Sequence, residues 1–346
     1  MARSTGKVRA ARLTDLAALG ELSRRAQGDE EATRSLGLPV SGPPIGVFSL
    51  FRLPLGAFQP HDALYVFDRD SHIAGLLRVE RDSGRDEWTV VELDAVGGLD
   101  AGDVRFRLVQ HLLRDGAKRG ATRFHVACAD ADDNVELFMQ AGFVRFGDER
   151  ILFREPGDLP APWTEAETRK AGIHPTGPLH ALALSRLYAA VTPSPVQRLE
   201  CLRLVDWERL GRDWRIPRSS LNPILRFADV YTFVLHAPNG GRDGTQLDAF
   251  VQIGVAKEDQ PHYLKIIARP EADTGPLARF ALGVIAERAD KATRNEGVIA
   301  PVRTYESPLD RRLEEEGFND IATVTLLMKE TLVRVAEPRL VPAGVR

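Results

Sequence analysis

The chain is poor in sulfur and in aromatic rings. Two cysteines, Cys128 and Cys201, and three methionines occur in 346 residues, and Phe, Trp and Tyr together make up 7%. Two cysteines so far apart form neither a disulfide framework nor a metal-ligand spacing. Charge of one sign is lacking too: 46 Lys and Arg stand against 49 Asp and Glu, a formal net charge of -3. That balance gives no general attraction to nucleic acid or to an anionic membrane surface. No apolar run approaches the roughly 20 residues that span a bilayer. The basic start, MARSTGKVRAARLTDLAALG, has no continuous apolar stretch and no small-residue cleavage site, so it is not expected to act as a signal peptide. A reduced, cytoplasmic protein is expected, one that engages neither nucleic acid nor membrane.

What is present is an ordinary globular composition, 43% hydrophobic and 27% charged. The length suggests two domains. One phrase is written twice. ELFMQAGFVRFGDERILF and RLEEEGFNDIATVTLL each pass from a helical pattern through Gly-Phe into a strand pattern, at Gly142 and Gly317. The elements around each copy recur in the same order: strand, helix, an irregular segment, three strands, helix, strand, short helix, strand. In the first copy Leu16, Leu19 and Leu22 repeat at helical spacing after Thr14-Asp15, and EWTVVELDAVGG is a β-branched strand. DVRFRLVQHLLRDGAKRG is an amphipathic helix with Phe106, Val109, Leu112 and Leu113 on one face. PGDLPAPWTEAETRKAG, rich in proline and polar residues, reads as a linker. The expected organisation is a domain over residues 1–156, a linker over 157–171 and a duplicate over 172–346. Alternating strands and helices make each half α/β or α+β with a mixed sheet.

This order resembles the GNAT family of acyl-CoA-dependent N-acyltransferases. The resemblance is carried by ELDAVGGLDAGDVRFRLVQHLLRDGAKRGATRFHV with NVELFMQAGF, and by LKIIARPEADTGPLARFALGVIAERA with SPLDRRLEEEGF. It spans nearly all of both halves and implies two tandem GNAT-like domains. It also implies that acetyl-CoA lies where the fourth strand splays from the fifth, its pyrophosphate on backbone amides at the next helix's N-terminus. By that resemblance the cofactor residues are Val96, Gly97, Gly98, Gly102, Arg105 and Arg107 in the first half. In the second half they are Ala268, Arg269, Thr274 and Gly275, with Thr274 as the helix cap. The acceptor is a small-molecule or peptide amine.

The sequence departs from the family pattern at two places. GGLDAGDVRFRL keeps glycines without the expected R/Q-x-x-G-x-G/A spacing, and ARPEADTGPLAR keeps only one. Arg105 and Arg107 either pair with phosphates or lie on a solvated surface. The tyrosine that many family members carry four residues before the Gly of Gly-Phe is replaced by Phe138 and Leu313, which hold no proton to donate. Tyr305, at the end of a strand, is the substitute acid. Glu92 and Asp94, two apart on a strand, share a face and are the candidate base and amine-orienting group. His262 is a weaker base candidate. His125 and Cys128, three apart, face opposite ways and do not pair. Asp130, Asp132 and Asp133 resemble a calcium loop only loosely, and Asp133 is better read as a helix cap. Trp207 and Trp214, among Arg209, Arg212 and Arg215, either line an acceptor site or pack in an irregular loop, as does SGPPIGVFSLFRLPLGAF. Two functions stay open: an N-acyltransferase, or a catalytically silent binding or scaffolding module that keeps the fold.

Overall fold

The computed structural model describes residues 6–15, 18–19, 22, 62–70, 72–82, 84–96, 98, 100–129, 133–210, 216–223, 225, 227–237, 246–257 and 260–331. Gly97, Leu16, Asp130, Asp132, Arg212, Trp214, Arg215 and the segment SGPPIGVFSLFRLPLGAF lie outside the described residues. The first half contributes β1 (Lys7–Ala10), β2 (Asp62–Arg69), β3 (His72–Asp82), β4 (Glu87–Ala95), α1 (Ala101–Lys118), β5 (Arg123–Ala129), α2 (Asn134–Gln140) and β6 (Val144–Arg154). Then come α3 (Glu165–Lys170), β7 (Ile173–Pro175), α4 (Ala181–Val191), α5 (Ser194–Glu200) and α6 (Leu204–Glu208). The second half closes with β8 (Phe227–His236), β9 (Leu247–Ala256), β10 (His262–Ala268), α7 (Gly275–Arg288), β11 (Val298–Arg303), α8 (Ser307–Glu315) and β12 (Asn319–Glu330).

The repeated Gly-Phe has a backbone reason. Gly142 and Gly317 sit just past the ends of α2 and α8 with φ of +86° and +88°, a left-handed conformation that any side chain would strain. The next residue turns inward. Phe143 N–H donates to the Phe138 carbonyl at 3.0 Å, and Phe318 N–H to that of Leu313 at 3.1 Å, which closes the helix end. Both phenylalanines are buried, and so are Phe138 and Leu313, as expected for core positions. α1 buries Val104, Leu108, Val109, Leu112 and Leu113, a stripe at helical spacing; Phe106 lies half-buried at its edge.

The twelve strands of the described residues form one sheet, in the order β1-β2-β3-β4-β5-β12-β6-β11-β10-β9-β8-β7. The sheet therefore does not divide where the sequence does. β12, from the second half, pairs antiparallel with β5 of the first, Val324 to Glu330 against Ala129 to Arg123. β6, from the first half, pairs antiparallel with β11 of the second, Val298 to Arg303 against Arg154 to Glu149. Each half gives its last strand to the other, and β12 and β6 pair at the centre. One apolar cluster lies under α1 and α2 and takes Leu327 from β12; another lies under α7 and α8 and takes Leu152 from β6. A third joins Ala127, Ile151, Tyr263, Ile299 and Leu326 across the exchanged strands.

Candidate functional site

β4 and β5 run parallel but pair only over Glu87 to Thr89 with Arg123 to His125. Beyond that they part. A bulge on β4 helps: Arg78 opposes Glu92 and Val79 opposes Val90, so Val91 is an extra residue on β4. Past Thr89 the β5 side of β4 has no ladder partner among the described residues, and its backbone groups open into a gap. The gap is lined by Val90, Val91, Glu92, Ala127, Cys128 and Asn134. Glu92 lies 3.4 Å from Arg78. Asp94 is buried beside it. Burial first, then the Glu92 charge and a hydrogen bond to it, push the Asp94 carboxyl well above the usual carboxylate range.

A small cavity lies on the opposite side of the same strands. It shares Val90, Val126 and Ala127 with the gap, so the two meet where β4 and β5 part. Its wall carries Glu80 and Asp82 together with Arg85, His125, Arg218 and Arg303. Arg218, in the segment before β8, and Arg303, at the end of β11, come from the second half. Behind this wall Glu87 meets Arg85 at 3.2 Å, Arg123 at 3.3 Å, and Arg218. Burial alone would raise the Glu87 carboxyl, but Arg218, His125 and Arg85 outweigh it and hold it well below the usual range. Arg303 bonds Glu149 at 3.0 Å and Glu200 at 2.9 Å. Burial and then Arg218 push the His125 imidazole down to about 4, so it is neutral at pH 7.

At Gly98 and Gly102, around the start of α1, an added Cβ would meet no atom of the described residues within 4 Å. The charge there is balanced: Asp100 lies 3.4 Å from Arg69 and Asp103 lies 2.9 Å from Arg107. Val96 N–H is committed to the Ala74 carbonyl at 2.9 Å. Arg105 donates to Asn134 at 2.7 Å and ties α1 to α2. In the second half β10 and β11 also part early, after His262–Val298 and Tyr263–Ile299. There the buried Lys265 crosses the gap, 3.2 Å from the Pro301 carbonyl and 2.8 Å from Glu306. A separate pocket opens at the start of α7, lined among others by Ala268, Arg269, Thr274 and Tyr305.

No protein-family model matches the sequence, and no curated protein matches it. Solved structures do. A tandem GNAT protein from the clavulanic acid biosynthesis pathway superposes over 94% of this chain and 98% of its own, at 13% identity and a TM-score of 0.53. A GCN5-related N-acetyltransferase from Sphaerobacter thermophilus covers 94% of this chain and 95% of its own, at 15% identity and a TM-score of 0.56. The fold is that of a tandem GNAT protein.

Within the tandem GNAT fold the expected residues fall into two groups. Glu92 and Asp94 share a face beside the first gap, with Arg105 nearby across Asn134. Ala268, Arg269, Thr274 and Tyr305 meet around the second-half pocket. Tyr305 is therefore not brought to Glu92 and Asp94, because β5, β12 and β6 separate β4 from β11. Burial raises the Tyr305 hydroxyl far above the ordinary tyrosine value. Two expectations are corrected. Thr274 precedes α7 but makes no side-chain cap bond, and Gly275 N–H reaches Asp273 instead, at 3.4 Å. Asp133 precedes α2 in a left-handed conformation, also without a side-chain cap bond. Of the two readings open for Trp207, the packed one describes it: it is buried against Tyr188.

His262 is a satisfied core residue: Nδ1 accepts from Ala256 N–H at 3.0 Å and Nε2 lies 2.9 Å from the Thr293 carbonyl. Sequence reasoning missed Asn134, Arg85, Arg218 and Arg303. A buried-reading pattern, VIAPVR, ending in an arginine was the one available signal for Arg303.

Proposed function

We propose that the chain transfers an acyl group from an acyl-CoA, acetyl-CoA being the first candidate, to an amine at the β4–β5 gap of the first half. The observation that carries this reading is the meeting of two cavities at Val90, Val126 and Ala127 from opposite sides of the sheet. Such a gap lets a donor and an acceptor approach one point from two sides. Acyl-CoA supplies a thioester whose C–S bond breaks as the amine's C–N bond forms. Glu92 takes the proton that the amine gives up, and Arg78 holds its carboxylate in place. Asp94, its carboxyl raised by burial, hydrogen-bonds Glu92. Backbone N–H groups of β4 in the gap face the developing oxyanion. Gly98, Gly102 and the N-terminus of α1 would hold the pyrophosphate. The second half, its gap crossed by Lys265, serves as the partner of the first and not as a second catalyst.

A second reading, binding without catalysis, is favoured by one observation: carboxylates stand at both helix starts, Asp100 and Asp103 on α1 and Asp273 before α7. Isothermal titration with CoA and acetyl-CoA, followed by thiol release with an amine panel, decides between them. Binding at one site per chain with thiol release supports transfer. No binding at millimolar ligand removes it.

A further inference from the structure

The cavity opposite the gap has a charge pattern that selects its ligand. Four guanidiniums, Arg85, Arg123, Arg218 and Arg303, meet three carboxylates, Glu87, Glu149 and Glu200. Glu330, 3.3 Å from Arg123, is a fourth carboxylate, so the cluster is balanced. Donors remain open, however: Arg85 Nη1, Arg218 Nε and Arg303 Nη1 are buried and have no hydrogen-bond partner among the described residues. The Arg85 and Arg303 side chains are 6% and 3% exposed, so bulk water does not compensate them. Buried donors of this kind carry a penalty until an acceptor arrives. A balanced cluster with planar open donors suits a single carboxylate better than a phosphate dianion. The same cavity is also lined by Glu80 and Asp82. Glu80 opposes Thr89 across the β3–β4 ladder, one residue before Val90 and the gap. An ammonium is at home there, and the gap is where the proposed transfer needs an amine.

We propose that this cavity binds a small amine that also bears a carboxylate, an amino acid or a molecule of that kind. Arg85, Arg218 and Arg303 hold the carboxylate, and the amine points past Glu80 to the β4–β5 gap. The substrate class rests on the acyl-transfer reading; the binding does not. Two of the three arginines, Arg218 and Arg303, belong to the second half, which gives that half its use: it supplies the acceptor wall of the first. The neutral His125 sets no charge of its own on the site.

The test is equilibrium binding to the full chain, without CoA, of a panel of L-amino acids, each as the free acid and as its C-terminal amide. At least one free acid is expected to bind at one site per chain, at least about tenfold tighter than its amide, because a desolvated donor set rejects a ligand that lacks the anion. Arg218→Gln is expected to abolish that preference with its melting temperature compared to check folding. Arg218→Lys, which keeps the charge but not the planar donors, is expected to retain part of it. Acids and amides that bind alike, or no binding by either at tens of millimolar, would overturn the proposal. Thiol release with amines that lack a carboxylate would sink this inference and leave the transfer reading intact. Acid-selective binding in a protein that never binds CoA would do the reverse.

Discussion

Glu92 and Asp94 show how two like groups two residues apart acquire different work. Asp94 is deep enough for burial to raise its carboxyl, while Glu92 has Arg78 beside it. Glu92→Gln is expected to lower turnover by about a hundredfold or more with acyl-CoA affinity unchanged, since proton transfer contributes roughly that much. Thiol-release kinetics beside titration check it, and equal turnover would remove Glu92 as the base. His125 yields a pH prediction. Its buried imidazole titrates near 4 against 6.5 in the unfolded chain. Below pH 6.5 the unfolded chain takes up a proton that the fold refuses, so stability falls as pH falls toward 4, by up to about 3 kcal/mol. Asp94, its carboxyl raised in the fold, contributes the opposite slope as pH rises above the ordinary carboxylate range. Comparing the parent with His125→Gln cancels that contribution. A flatter stability curve between pH 6.5 and 4 is expected in the variant, measured by urea unfolding; an unchanged curve would show that His125 does not cause the slope.

At the scale of elements, the helix ends are the most legible part. Gly-Phe after a helical run states a backbone need that depends on few distant residues, which is why both copies could be read directly. Gly317→Ala is expected to cost about 1 kcal/mol, because its φ is +88° and an alanine there is strained. Leu327→Ala on β12 removes a fully buried side chain from the first-half core and is expected to cost about 2–5 kcal/mol, read by denaturant unfolding. The partner of β12 was not legible. β6 and β12 have similar strand patterns, and nothing local to either says which fifth strand it will join. The arginine wall was hidden for a related reason. Arg85 lies in a turn, Arg218 in an irregular segment and Arg303 at a strand end, and only the folded sheet brings them together. Charge at those positions in sequence looks like solvated surface. Glu92 and Asp94 were found because strand period alone puts them side by side, but their division of roles needed the depth of each.

At the scale of the molecule, the sheet is one unit made of two repeats. Its central ladder joins β5, β12, β6 and β11, and apolar clusters on both sides use residues from both halves. Unfolding is expected to be a single transition. Fluorescence of tryptophan placed only at Trp88, and then only at Trp163, should give the same midpoint, since one packs in the first core and the other in the second. Two separated midpoints would mean that the halves fold independently.

The strand exchange also sets an order of events at the ribosome. The neighbour that β5 needs is more than 190 residues downstream, in Asn319–Glu330. Until those residues emerge, the nascent first half carries an open edge that could join another chain. Loop closure over that distance makes folding slow relative to a repeat that completes itself. A message cut short after Gly317 would therefore disable the front of the protein as surely as the back, and two nascent chains on one message could trade final strands to give a dimer of whole sheets.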